Sequence, residues 1–448
     1  MRAGRSRRLQ WGRGGILFAA AGVLCAQTPP DAIHALEQVR DSVVRWIKYL
    51  PDDTCVQTVN RSYVRRAGGS YPFPSCAQMH AEQEAHAYRL DLYLTDRLRL
   101  DVMVSGGQEI GSWAGASQFD AKSIFDLVGK GPFGTGALGM FLADIFVGGG
   151  ALFAYKGEAP EGDGTLYAYR FQVPIDASHC TMKAGSGWQT IAYEGEVAID
   201  PRSFQIRHLL AHASHLPPET DTCAVDNSVD YATLRMSTGE FLLPQQSKLH
   251  LLNSDGNESD TTTTYGSCRE YQSESTIFFG HDPAATSVKN MVGAKPVVLP
   301  AGLPIELELV SPIDTDVAAA GDVAIEKVRN PVRAKGSKEV LVPPGATVRG
   351  RIVQMKHWML PPVRFEITIQ LESWETAGVT TRLYAKPARD EMAADRPASI
   401  AGAQINLPPA GQSPRVGTFI FKTKSKRYVV PLGLESKWIT ISAPSEKP

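Results

Sequence analysis

The feature that most constrains this chain is a long succession of β segments with almost no helix between them. From Ala151 onward the sequence presents Ala151–Tyr155, Thr165–Val173, Thr190–Ile199, Gln205–Ala213, Ser228–Met236, Phe241–Leu252 and Thr261–Tyr271. Asp200-Pro201 and Ser254-Asp-Gly256 are turn sequences between them. Upstream, Leu98, Leu100, Val102 and Val104 alternate with Arg97, Arg99 and Asp101, and Gly106-Gly107 turns the chain into Ile110–Trp113 as a hairpin. One long helix precedes them. After Pro29-Pro30-Asp31, apolar residues recur at Ile33, Leu36, Val39, Val43 and Ile47, a helical stripe that closes before Pro51. Many antiparallel strands and one helix predict a mainly β fold with minor α: a curved antiparallel sheet, or half-barrel, with the helix packed on its concave face. Residues 122–150 interrupt it as an insert of two short helices around a glycine-rich loop.

The first 26 residues set the compartment. Arg2, Arg5, Arg7, Arg8 and Arg13 form a positive region without acids, Ile16–Leu24 is apolar, and Ala26 stands before Gln27. The apolar core is far short of the roughly 20 residues of a spanning helix, so segment 1–26 reads as a cleaved signal peptide. Leu24 before Cys25 does not fit a lipobox, which places the mature start at Gln27. No later segment approaches a membrane span, which makes the expected location periplasmic or secreted, in the cell envelope. The leader takes five arginines from 46 Lys+Arg against 47 Asp+Glu, leaving a weakly acidic chain without the clustered basic face of a nucleic-acid binder.

Cys55, Cys76, Cys180, Cys223 and Cys268 remain, and no CxxC pair occurs among them, which argues for disulfides over a zinc or redox motif. If Thr190–Ile199 and Gln205–Ala213 form a hairpin about Asp200-Pro201, Cys180 and Cys223 fall at its open end and are expected to pair. Cys55, opening the first strand, can likewise reach Cys268, which leaves Cys76 free.

Gly280–Lys295 is polar and non-periodic, a linker at which a protease is expected to separate two domains, 27–279 and 296–448. Beyond it, short β runs between Pro/Gly turns suit a small β-barrel or sandwich, with 387–414 as a mobile loop rich in Pro, Ala and Gly. The opening helix, the strand Arg97–Val104, the segment Tyr193–Pro201, the strand Ile206–His212 and Phe241-Leu-Leu-Pro244 together resemble the LolA-like lipoprotein-carrier half-barrel over roughly residues 31–279. Thr54-Cys-Val-Gln-Thr-Val and Cys268-Arg-Glu-Tyr also look like a set of secreted bacterial proteins without assigned function. Leu299-Pro-Ala-Gly302, Gly321-Asp322, Val342-Pro-Pro-Gly-Ala346 and Arg349-Gly-Arg351 resemble the TrbI-like β-barrel module of secretion-channel complexes. The resemblances imply an apolar ligand for the first part and a docking module for the second.

Catalytic signatures are missing: no GxSxG elbow and no HExxH stand in a supporting context. Gly129–Gly134 is formally GxGxxG, but helical sequence precedes it, so it reads as a flexible lid and not a nucleotide loop. His208 and His212 on a strand lie about 13 Å apart, too far to share a zinc. Asp314/Asp316 and Glu306/Glu308 read as solvated pairs. No catalytic residue, cofactor or metal is therefore assigned. Leu36, Val39, Val43 and Ile47 on the helix, with Trp113, Phe141, Phe146 and Phe153 below, form either core or the walls of an apolar cavity. The expected function is a non-enzymatic binding module for a hydrophobic ligand (lipid or lipoprotein-like) or an envelope protein partner. The alternative is a structural or assembly component docking through its C-terminal β domain.

Overall fold

The computed structural model describes residues 29–443 except 50–52, 69–72, 86, 106–107, 117–118, 120–123, 130, 237–238, 271–298, 377, 389–402 and 407–414. Segments 1–26 and 280–295 therefore lie outside the described residues. The N-terminal part runs α1 (Pro30–Tyr49), β1 (Asp53–Arg66), α2 (Cys76–Glu84), β2 (Leu90–Ser105), β3 (Gln108–Trp113), α3 (Ile124–Val128) and α4 (Met140–Phe146). It continues with β4 (Leu152–Glu161), β5 (Gly164–Val173), β6 (Thr181–Ala184), β7 (Gly187–Thr190), β8 (Tyr193–Ile199) and β9 (Ile206–Ala213). Three long strands close it: β10 (Thr222–Met236), β11 (Gly239–Asn253) and β12 (Glu258–Glu270).

Ten of these strands form one open, curved antiparallel sheet in the order β4-β5-β8-β9-β10-β11-β12-β1-β2-β3. The first strand, β1, is thus inserted between the last, β12, and β2. Helix α1 starts with Pro30 and Asp31, a proline suited to the first helical position and an acid facing the helix dipole. Its buried stripe, Ala32, Ala35, Val39 and Val43, has helical spacing and packs on the sheet's inner face. The insert forms α3 and α4 on the same face, as two short helices.

Helix α2 is absent from the sequence expectation, although Ser75 and Gln78 form a capping box, a readable start signal. Its position corrects the cysteine pairing. Cys55 joins Cys268, but Cys76 joins Cys223 and Cys180 is free, so the Cys180–Cys223 bridge does not exist. The β8–β9 hairpin does form. However, Cys223 opens β10 in a small cluster with Met79 and Leu252, where α2 reaches it. Cys180 instead leads into the β6–β7 hairpin, which lies outside the main sheet.

The C-terminal part comprises β13 (Pro304–Leu309), β14 (Ile313–Asp314), β15 (Val323–Val328), β16 (Val332–Arg333), β17 (Val340–Val342), β18 (Thr347–Trp358) and β19 (Arg364–Thr376). It ends with β20 (Val379–Arg382), β21 (Ala385–Pro387), β22 (Ala403–Asn406), β23 (Val416–Lys422), β24 (Val429–Val430) and β25 (Glu435–Thr440). Pairing runs β25-β13-β15-β18-β19, and segment 379–387 meets β19 at its start and β25 at its end. The strands thus wrap one apolar core that includes Trp438, Phe419 and Trp374. Within the expected loop 387–414, residues 403–406 form β22, paired with β23.

The two parts share backbone hydrogen bonds. Strand β18 adds to the edge of β2, with Lys356, His357 and Trp358 opposite Asp96, Thr95 and Leu94. Beside it Arg99 N–H donates to Ala320 O at 2.6 Å and Ala320 N–H to Arg97 O at 2.9 Å. The Arg99 guanidinium pairs with Asp322, and Arg351 donates to Ala114 O at 2.9 Å and Gly321 O at 2.7 Å. Gly321, at φ 110, is required here: a Cβ would lie 2.0 Å from the Arg99 carbonyl oxygen. These contacts join the two parts directly, apart from the chain segment between them.

Candidate functional site: the covered inner face of the sheet

Two apolar clusters divide the inner face. The first lies under α1 and α4: Val39, Val43, Leu142, Ile145 and Phe146 pack on Tyr169, Phe171, Tyr193, Val197 and Leu209, with Leu36, Phe141 and Phe153 at its margin. Six of the eight expected cavity residues therefore meet in one place. Trp113 does not belong to this group: it packs in the second cluster, with Cys55, Val59, Leu98, Leu100 and Leu138, and within reach of Gly321 in the C-terminal part. β3 sits at the far end of the sheet from β4, which is why Trp113 cannot join the other aromatics. The side chain of Ile47 lies outside the described residues.

Aromatic rings form a continuous run from interior to rim. Phe146 and Phe153 stand 5.4 Å apart, Phe153 and Phe171 6.4 Å, and Phe171 and Tyr193 6.1 Å between centroids. Tyr155 meets Tyr169 at 5.4 Å and Tyr167 at 5.8 Å, distances at which edge-to-face pairs attract. Phe153, Tyr155 and Tyr167 are only half-buried because β4 is an edge strand, paired with β5 alone. Arg40 of α1 lies 5.3 Å over the Phe153 ring, and Tyr169 Oη donates to Ala32 O at 2.6 Å, fixing the helix start.

The glycine-rich residues 128–129 and 131–139 cross the inner face as a strap. Arg61 donates to Val128 O, Thr261 Oγ1 to Pro132 O at 3.2 Å and Tyr231 Oη to Ala137 O at 3.0 Å. Glu109 accepts from Gly136 N–H at 2.8 Å and Leu138 N–H at 2.9 Å. Gly131 permits the closest approach, since a Cβ there would lie 2.2 Å from Tyr63 Oη. The expected swing of these glycines as a lid thus meets at least five polar ties. Burial pushes the Glu109 carboxyl up to about 7 while the two backbone donors pull it down, and the neighbouring Tyr231 and Tyr265 phenols are raised with it. Arg61 and Asp96 form a buried bidentate pair at 2.7 and 2.8 Å; burial works against the Arg61 charge, and Asp96 outweighs it. Asp96 is in phase with the inward Leu98, Leu100 and Val102, but nothing in the sequence period marks Glu109 or Arg61 as inward-facing. Only the register of β1, β2 and β3 places them there.

Beside α4, buried Asp144 accepts from Tyr193 Oη at 2.7 Å and from His179 N–H at 3.1 Å, with His179 Nδ1 at 2.7 Å. Free Cys180 adjoins this group. Burial, aided by Asp144, pushes its thiol up to about 11, the opposite of what a nucleophile needs.

The outer face carries His208 and His212 on β9, as a strand reading requires. Here Glu194, His212, Asp226, His250 and Asp260 are successive cross-strand neighbours. Each of the three histidines holds a carboxylate: His208 to Asp230 at 2.8 Å, His212 to Asp226 at 2.7 Å and His250 to Asp260 at 2.8 Å. Those bonds raise His208 and His212, and Asp260 raises His250 against its burial. Among the described residues no group of three His, Cys, Asp or Glu could hold a metal ion. Asp314, expected to be solvated, is paired with Arg427.

No protein-family model matches the sequence, and no curated protein matches it. Solved structures similar over about half the chain include the following three. A LolA superfamily protein from Nitrosomonas europaea shares 11% identity over 54% of this chain and 94% of its own, with a TM-score of 0.24. A DUF1329 family protein from Desulfovibrio piger shares 11% over 55% and 98%, TM-score 0.24. An outer membrane lipoprotein-sorting protein domain from Vibrio parahaemolyticus shares 8% over 53% and 92%, TM-score 0.26. The likenesses cover the N-terminal half and are too slight to assign a family; the TrbI-like resemblance of the C-terminal part has no counterpart among them.

Proposed function

We propose that this chain is an exported, non-enzymatic binding module of the cell envelope that takes an apolar chain on the inner face of its N-terminal sheet. The observation that carries the reading is the aromatic run from buried Phe171 to half-buried Phe153 and Tyr155 at an edge strand. A ligand groove is apolar, concave and open at one margin, and the edge strand β4 leaves such a margin at this run of rings. The contiguity of this margin with α1 and α4 gives a bound chain somewhere to go: displacing α4's Leu142 and Phe146 from the sheet exchanges one apolar contact for another. Each buried CH₂ of an incoming chain contributes about 0.8 kcal/mol, so a medium-length acyl chain reaches micromolar affinity after ordering. Export follows from the leader, with Gln27 as the mature N-terminus, and disulfides Cys55–Cys268 and Cys76–Cys223 suit an oxidising compartment. The docking alternative must use a surface other than β18 and 316–322, which contact the N-terminal part.

The test is titration with a dansyl-labelled fatty acid. Wild-type protein should bind it, and Phe153→Ala, at the half-buried rim, should weaken binding several-fold. Wild-type protein that takes up no probe, and whose native mass spectrum shows only the bare chain, would overturn the reading.

A further inference from the structure

Helix α2 sits on the outer face of the sheet, where Met79 packs on Ala224 and Leu252 and the His80 ring meets that of His212 at 6.5 Å. Met79 is the one residue of α2 that is buried, so the helix contributes little apolar area of its own. Its polar ties are partly exposed: Glu82 pairs with Arg66 at 2.6 Å, and Gln83 meets His250 at 3.1 Å. His80 Nε2 has no hydrogen-bond partner among the described residues. The covalent tie, Cys76–Cys223, is therefore the principal one, and its two ends differ. Cys76 is exposed and is the first residue of α2, directly behind the Ser75 cap, whereas Cys223 is 1% exposed. Cys55–Cys268 is built otherwise. Cys55 is buried in β1 between β2 and β12, and Cys268 packs into the second apolar cluster.

We propose that Cys76–Cys223 is a reducible latch on α2, opened by a dithiol protein of the thiol–disulfide oxidoreductase class, while Cys55–Cys268 is a permanent strut. A thiolate of the dithiol attacks Cys76 Sγ, the exposed end of the bridge. The Cys76–Cys223 bond breaks, a mixed disulfide forms at Cys76, and Cys223 leaves as a thiolate that takes a proton from water. The second thiolate of the dithiol then attacks its partner sulfur in the mixed disulfide. That closes the dithiol's own disulfide and releases Cys76, whose thiolate is favoured at the helix N-terminus. Two electrons pass from the dithiol to this chain. Once unlatched, α2 keeps only Met79 and its partly exposed polar ties, so it leaves the sheet and turns Ala224, Leu252, His212 and His250 to solvent. The sheet itself stands, because β10, β11 and β12 remain paired and the strut holds β1 to β12. This latch lies on the face opposite the apolar groove and does not depend on a ligand there.

Timed exposure of the mature chain to dithiothreitol in native buffer, with alkylation and peptide mass spectrometry, tests this. Cys76 and Cys223 should become open to alkylation about tenfold sooner than Cys55 and Cys268. Amide hydrogen exchange over residues 77–84 should rise with the same time course, while β10 and β12 keep their protection and tryptophan fluorescence stays constant. Cys76→Ser should show the fast exchange of 77–84 without any reductant; should that variant fail to fold, the wild-type time course decides by itself. Both bridges opening together, or only with a change in fluorescence, would mean that reduction requires unfolding and would overturn the latch. Unchanged exchange over 77–84 once Cys76 is alkylated would mean that non-covalent contacts hold α2, and would overturn it equally.

Discussion

Glu326 is a carboxylic acid facing the apolar core of the C-terminal part, and its titration should be visible as a pH-dependent stability. On β15 it alternates inward with Ala324 and Val328, is 2% exposed, and lies opposite Leu309 and Val348. One strand further, Val348 is opposite Trp374. Ser436 bonds to the carboxyl, while Oε2 and Trp374 Nε1 have no partner among the described residues. Burial pushes the group up to about 7 from 4.5, against a smaller pull from Ser436. A raised folded-state value means that the folded chain keeps a proton the unfolded chain has lost. Stability therefore falls as pH climbs from about 4.5 to about 7 and is flat above it, with a total span of about 3 kcal/mol at 1.36 kcal/mol per pH unit. Glu326→Gln is uncharged throughout. Urea unfolding followed by tryptophan fluorescence should show that the variant's stability relative to wild type improves by about 2.5 kcal/mol between pH 5 and pH 8. The double difference cancels every other titrating group. Parallel pH profiles for the two proteins would refute the argument and mean that the carboxyl reaches water or an unseen partner.

Other expectations are as direct. A protease site placed within 280–295 and cut should leave the two parts eluting together in gel filtration, and Arg99→Ala should loosen them; separate peaks for cut wild type would show the β2–β18 contact to be weak. Non-reducing peptide mapping should link Cys76 to Cys223, and Cys76→Ser should lower stability by about 2–5 kcal/mol; a Cys180 disulfide would contradict the structure. Cys180 should alkylate slowly in native protein at pH 8, in line with its raised thiol. The raised histidines predict stability that is full below pH 6.5 and lost as pH rises through their folded values. A His212→Asn/His250→Asn variant should flatten that part of the profile, and an unchanged slope would remove the ladder from the account.

The sequence displays α1, the meander and the insert's two helices because each rests on local spacing: a 3.6-residue stripe, period-two alternation, Asp-Pro and Asp-Gly turns. It does not display what depends on registry between distant strands. Gln57 stands in a run, Thr54-Cys-Val-Gln-Thr-Val, whose alternation alone cannot say which face is covered. The register with Leu100 and Tyr265 decides it. Likewise Cys180 and Cys223 are near in a hairpin drawn on paper, but α2, started by a capping box that was readable at Ser75, brings Cys76 to the place first. Trp113 is aromatic and inward, as expected, yet eight strands of sheet separate β3 from the rim formed by β4. The β2–β18 junction has no sequence mark except Gly321, whose need becomes visible only beside the Arg99 carbonyl.

Placing β1 between β2 and β12 also dictates a timetable. A ribosome or a translocation pore delivers β1 with β2 almost at once, but its other neighbour emerges some two hundred residues later, the separation of Cys55 and Cys268 being 213. Until then β1 has a bare edge and an unpaired thiol, with Cys76 the nearest wrong partner in time. Oxidation in order of appearance would join Cys55 to Cys76, and neither native bridge survives that choice. Chains of such non-local pairing fold slowly and expose strand edges while they wait. Maturation of this protein should accordingly be limited by thiol–disulfide exchange, fast with an isomerase and a shielding chaperone and slow with an oxidant alone.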